Sequence, residues 1–161
     1  PKPQNPFSLN IVIICEKTIM SVKVAVRVRP FNEREKGHGN PKCCIEMKGP
    51  TTSIIEPGTD LPRPFTFDYS FWSHDGFEVN DEGVSVKDCS ESNYADQTYV
   101  YDCLGKQVLD NAWEGYNCCL FAYGQTGSGK SYSMVGYGKN EGIVPMACNE
   151  IFKRINENDD E

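Results

Sequence analysis

The sequence predicts an α/β fold: helices layered on a mostly parallel central sheet, incomplete within these residues, with a small antiparallel lobe attached. Three observations carry that. Val22, Val24, Val26 and Val28 alternate with Lys23, Ala25, Arg27 and Arg29, a period of two in β-branched residues stopped by Pro30. From Asp96 the period changes, with Val100, Leu104, Val108 and Ala112 recurring every four residues beside Leu109 and Trp113. Residues 118–123 are then an unbroken apolar run that leads into Gly124-Gln125-Thr126-Gly127-Ser128-Gly129-Lys130-Ser131. Strand, helix, strand, glycine-rich loop and helix make a βαβ unit, which crosses over right-handed.

Taken in order, residues 1–20 have neither a clear period nor a cap, and Met20 stands directly before the first strong strand. They are expected to be a disordered or artefactual extension. Residues 32–40 are polar and read as loop. Short strands are expected at residues 43–47 and 52–55, separated by the turn signal Gly49-Pro50. These form the small lobe. Phe65-Thr66-Phe67-Asp68-Tyr69 alternates again and reads as a strand of the main sheet. Residues 74–93 are acidic and poor in apolar side chains, the composition of a long surface loop. His38 and His74 both fall in loops and are expected to be solvated. Asn93 or Asp96 can cap the helix that follows, and Gly115 supplies its stop. Beyond the glycine loop, Pro145 suits the first position of another helix, with Ala147, Ile151, Phe152 and Ile155 as its apolar stripe. Residues 157–161 read as an acidic tail, and the chain is expected to stop in mid-fold.

Composition limits the partners. The 161 residues, 39% hydrophobic and 24% charged, describe a globular chain with a real core. A net charge of −7 without a basic patch argues against nucleic acid or an anionic membrane as partner. Eight cysteines include the neighbouring pairs Cys43-Cys44 and Cys118-Cys119 but no Cys-x-x-Cys, which favours reduced thiols in the cytosol over disulfides or zinc. Cys119 is expected to be buried in its strand.

Gly-x-x-x-x-Gly-Lys-Ser is the pattern of a phosphate-binding loop. Glycines at 124, 127 and 129 let the backbone curl so that successive N–H groups, from Gly124 through Gln125, Thr126, Gly127 and Ser128 to Gly129, point inward at phosphate oxygens. Lys130 would reach the β- and γ-phosphates, and the Ser131 hydroxyl would ligate Mg²⁺. A helix starting near Lys130 would add its dipole to the same site.

Several motifs together resemble one family, the kinesin motor domain. They are Val26-Arg27-Val28-Arg29-Pro30-Phe31, Phe67-Asp68-Tyr69-Ser70-Phe71-Trp72, Phe121 to Ser131 as quoted, and Gly142-Ile143-Val144-Pro145 with Ile151-Phe152. Trp72-Ser73-His74 and Ser131-Tyr132-Ser133-Met134 look most like the kinesin-3 group. The likeness covers residue 21 to about 155, so residues 21–156 are identified as the N-terminal part of such a domain.

The resemblance implies a phosphate-loop NTPase sandwich, ATP and Mg²⁺ as cofactors, and ATP hydrolysis coupled to movement along microtubules in the cytoplasm. It also implies an adenine pocket walled by Arg27, Arg29 and Pro30 on one side and by Tyr132 on the other. Lys130 is the implied catalytic group. Two motifs of the family, Asn-x-x-Ser-Ser-Arg and Asp-Leu-Ala-Gly-Ser-Glu, are not found here. Tubulin is therefore expected to be gripped through the missing C-terminal half, and these residues alone are expected to be inactive. The alternative is a truncated or pseudogene-derived nucleotide-binding fragment without catalysis. Cargo cannot be read from the sequence.

Overall fold

The computed structural model describes residues 9–16, 21–37, 39, 41–56 and 58–158. Expectations for His38 and for residues 1–8, 17–20 and 159–161 lie outside the described residues.

The first element, β1 (Leu9–Glu16), pairs antiparallel along its whole length with β2 (Ser21–Val28). Residues 9–16 are thus a strand and not a disordered extension, which corrects that part of the expectation. A short apolar run carries no sign of its pairing partners, so its place in a sheet is invisible locally. After β2 comes one turn of helix, α1 (Glu33–Lys36), closed by a reciprocal capping box between Asn32 and Glu35.

The small lobe is a three-stranded antiparallel sheet: β3 (Ile45–Lys48), β4 (Thr51–Ile55) and β5 (Pro62–Thr66). Here the sequence reading of residues 65–69 needs correction. Phe65 and Thr66 end β5, whereas Tyr69 opens β6 (Tyr69–Trp72), which runs parallel to β2 in the main sheet. Between them Asp68 anchors the crossing: its carboxylate accepts from the Val24 amide at 2.8 Å and its own amide donates to the Val24 carbonyl.

Residues 74–93 are also more ordered than expected. They contain a hairpin of β7 (Phe77–Val79) and β8 (Ser85–Lys87). Its turn is organised by Asn80, whose side-chain oxygen accepts from the amides of Glu82 and Val84.

Asp96 caps the next helix through a 2.7 Å bond from the Tyr99 amide. That helix runs as α2 (Gln97–Val100), a π-helical turn (Tyr101–Gly105) and α3 (Lys106–Trp113). A Cβ on Gly105 would clash with the Tyr101 ring and the Ile143 side chain, so glycine permits the close approach at the widened turn. Gly115, at φ 88°, ends the helix as anticipated.

The chain then enters β9 (Leu120–Tyr123), whose paired neighbour is β1. The sheet order is β6-β2-β1-β9, and β2, β6 and β9 all run the same way while β1 is reversed. β9 is not buried on both faces: Phe121 is 45% and Tyr123 67% exposed, and Cys119 is exposed as well. β2 is the inner strand, with Ala25, Val26, Arg27 and Val28 all buried.

The core sits where Ala25 and Phe71 of the sheet meet Val100 and Leu104 of the long helix and Ile143. Ile143 opens α5 (Ile143–Asn158), which takes in two residues expected to be tail and holds Pro145 in its first turn. Of the α5 stripe, Ala147 packs against the core, but Phe152 and Ile155 are exposed.

Candidate nucleotide-binding site

The glycine-rich loop links β9 to α4 (Lys130–Met134). Its path depends on backbone freedom. Gly127 has φ 78° and Gly129 φ 97°, the left-handed region that an L side chain rarely adopts. At Gly127 a Cβ would meet nothing within 4 Å, so the requirement there is conformational and not steric. Ser128 is fully buried at the centre of the curl, and its amide donates to the Gln125 carbonyl at 3.1 Å. The Lys130 ammonium lies across the loop, donating to the carbonyls of Gly124 and Gln125 at 2.8 and 2.7 Å. Ser131, next along, is exposed. α4 is only five residues long, so its helix dipole is small.

Two arginines, Arg27 in β2 and Arg29 just past its end, do different things. Arg29 crosses to the loop, where its Nε donates to the Gly127 carbonyl at 2.7 Å. Its other end grips Glu35 with two bonds of 2.6 and 2.7 Å. That pairing holds the Glu35 carboxyl below the usual carboxylate range, aided by the Asn32 amide and opposed by partial burial. The glycine loop is thereby tied to α1.

Arg27 is 3% exposed. Its Nε donates to Ser73 Oγ at 2.9 Å, Nη1 to Gln97 Oε1 at 2.6 Å and Ser133 Oγ at 3.1 Å, and Nη2 to the Ala95 carbonyl at 3.2 Å. The guanidinium also lies 5.3 Å from the centre of the Tyr132 ring. Burial pulls its pKa down, against the fields of Tyr132, Tyr94 and Asp96. Although it lines the cavity described next, Arg27 offers little free plane for stacking; it locks together the elements that carry the walls.

Beside the loop lies a cavity of about 400 Å³, lined in part by Arg29, Pro30, Gly127, Gly129 and Tyr132. The volume suits a nucleoside-sized ligand. The structure therefore brings together both ends of the sequence-expected set, Arg29 and Pro30 just after β2 and Tyr132 from α4, across one opening. Sequence reasoning missed Gln97, which joins Arg27 to the Tyr132 carbonyl through a 2.7 Å bond. It also missed His74. Far from being a solvated loop residue, His74 is half-buried between the rings of Phe31 and Trp72, and its Nδ1 donates to the Arg29 carbonyl at 3.0 Å. Contact with the Cys43 thiol and that carbonyl raise its pKa against the effect of burial. Only residue spacing in the fold, not in the chain, could have revealed either.

The sequence pattern of the kinesin motor domain matches residues 27–161. The chain belongs to the kinesin motor-domain family. Rat kinesin-like protein KIF28 is 51% identical over 136 residues, spanning 84% of this chain and 13% of the relative. Rat KIF1A is 48% identical over 141 residues, 85% of this chain and 8% of that protein. The kinesin-3-like reading of the Trp72 and Ser131 neighbourhoods agrees with these relatives. Among solved structures, KIF14 with ADP in complex with a microtubule aligns at TM-score 0.67 and 40% identity, covering 83% of this chain and 33% of that one. A KIF14 dimer with AMP-PNP and a microtubule aligns equally well, at 39% identity. This kinesin segment thus has the phosphate-loop NTPase fold and spans a small part of its relatives' length.

Proposed function

We propose that this segment binds ATP with Mg²⁺ and that the whole protein couples ATP hydrolysis to movement along microtubules in the cytoplasm. The observation that supports it best is the juxtaposition of the positive-φ glycine loop and Lys130 with a cavity walled by Pro30 and Tyr132. The residues present suit the ligand. Loop amides and Lys130 would hold the β- and γ-phosphates, and Lys130 can exchange two carbonyl partners for phosphate oxygens. The exposed Ser131 hydroxyl would hold Mg²⁺, which when bound neutralises phosphate charge during transfer. Arg29 would fix the loop's shape through Gly127, and Arg29, Pro30 and Tyr132 would flank the base. Tubulin binding and direction of travel belong to the whole protein.

The test is titration of the full-length protein with ATP, with and without Mg²⁺. Lys130→Ala should weaken binding by about 100-fold or more, since a charge-assisted contact to two phosphates is removed. Ser131→Ala should lose only the Mg²⁺-dependent part. Unchanged affinity in Lys130→Ala would sink the assignment.

A further inference from the structure

The cavity has a wall that the Arg-x-Arg-Pro element and Tyr132 do not supply. Phe77 and Ser85 of the β7–β8 hairpin, with Tyr94 and Tyr137, line its remaining side. Phe77 stacks on Tyr94 with ring centres 4.9 Å apart, and Tyr137 lies 6.0 Å from Tyr132. Tyr94 is 3% exposed; burial and the neighbouring Tyr132 push its pKa up to about 12, so its hydroxyl stays a neutral donor.

The hairpin is held in place by a neighbouring one. Asn140, in the short hairpin of β10 (Gly136–Tyr137) and β11 (Asn140–Glu141), accepts from the Ser85 amide at 2.8 Å and donates to the Gly83 carbonyl at 2.9 Å. The Asn140 carbonyl in turn accepts from Gln97 Nε2, the group that also bonds the Tyr132 carbonyl. At the other end, Ser92 Oγ donates to the Gly76 carbonyl at 2.6 Å and closes the hairpin's base. A surface loop needs none of these ties. Their convergence on an aromatic-lined opening beside the glycine loop is what a base-binding wall requires.

We propose that the 77–87 hairpin is a specificity wall for the nucleoside base, with Phe77 contributing contact area and Asn140 acting as the positioning residue that holds it. The proposal rests on the nucleotide reading above and concerns the base, not the phosphates. A purine, with the larger face, gains most from the added wall.

The experiment is calorimetric titration of the full-length protein with ATP, CTP and inorganic tripolyphosphate. Phe77→Ala and Asn140→Ala should each weaken ATP roughly five- to tenfold, the lower part of the range for one aromatic–base stack, narrow the preference for ATP over CTP, and leave tripolyphosphate unchanged. Asn140→Asp keeps the acceptor for Ser85 and should fall between. Should Phe77→Ala fail to fold, Phe77→Leu preserves bulk and still removes the aromatic face. Leu61→Ala, at an exposed site on the small lobe, should change nothing. Equal losses for ATP and tripolyphosphate would make the hairpin a purely structural element, and unchanged ATP binding in both variants would equally overturn the wall. If instead Lys130→Ala leaves tripolyphosphate binding intact, the nucleotide reading itself fails, and the wall with it.

Discussion

The C-terminal end of β2 and the flank made by β9 and α5 are built on opposite chemistry. Around the end of β2 the joints are polar: Arg27 bonds Ser73, Ala95, Gln97 and Ser133 in buried contacts, and Arg29 bonds Pro30, Glu35 and the exposed Gly127. Along the other flank the sequence is at its most apolar, yet Phe121, Tyr123 and Phe152 face outward. Apolar composition therefore does not locate this domain's most constrained region. A buried hydrogen-bonding group fixes both distance and direction, and each partner left unmatched costs free energy, so polar joints hold a ligand cavity to shape in a way that greasy contact does not.

Arg27→Ala should show the largest difference between the two regions. It takes the guanidinium from Gln97 Oε1 and Ser133 Oγ, leaves Ser73 Oγ and the Ala95 carbonyl with only each other, and should lower stability by about 3 kcal/mol or more. Urea unfolding of the full-length protein's motor domain reads this directly. A loss no larger than that of an ordinary surface mutation would dissolve the contrast.

A smaller effect belongs to the Arg29–Glu35 pair, which is only partly shielded from solvent. Because the folded carboxyl titrates below its usual range, the pair's contribution is present at neutral pH. It should fade as the pH falls through the ordinary carboxylate range toward the depressed value, and amount to at most about 1 kcal/mol. Comparing urea midpoints at neutral and mildly acid pH, Glu35→Gln should show a shallower decline than the unaltered protein; equal declines would remove Glu35 from the account.

The flank supplies the smallest effect. Phe152→Ser, at a side chain 67% exposed, should change stability by no more than about 0.5 kcal/mol despite removing a large aromatic. A shift in the unfolding midpoint comparable to that of Arg27→Ala would mean that the exposed face is packed in solution.

How much of this was legible in the sequence follows from how local each feature is. The glycine loop could be read because its constraint, φ > 0 at fixed spacings, is written in consecutive residues. The cap at Asp96 and the stop at Gly115 are local in the same sense. The small lobe was visible through Gly49-Pro50, but the division of residues 62–72 between two sheets was not, because it turns on Asp68 meeting Val24. Residues 74–93 look like loop by composition; their order comes from Asn140, 55 residues away from Ser85. Arg27 and Arg29 look equivalent in an alternating strand segment, and only the partners each side chain meets separate one from the other.

The Arg27 joint also bears on how this domain assembles in time. Its partners stand 46, 68, 70 and 106 residues from it along the chain. No short loop closure brings any of them near, so the cluster forms only after the sheet, the long helix and α4 have met. Contacts that form after the folding barrier act as a brake on unfolding, so loosening the cluster is expected to shorten the lifetime of the folded domain more than it slows its formation.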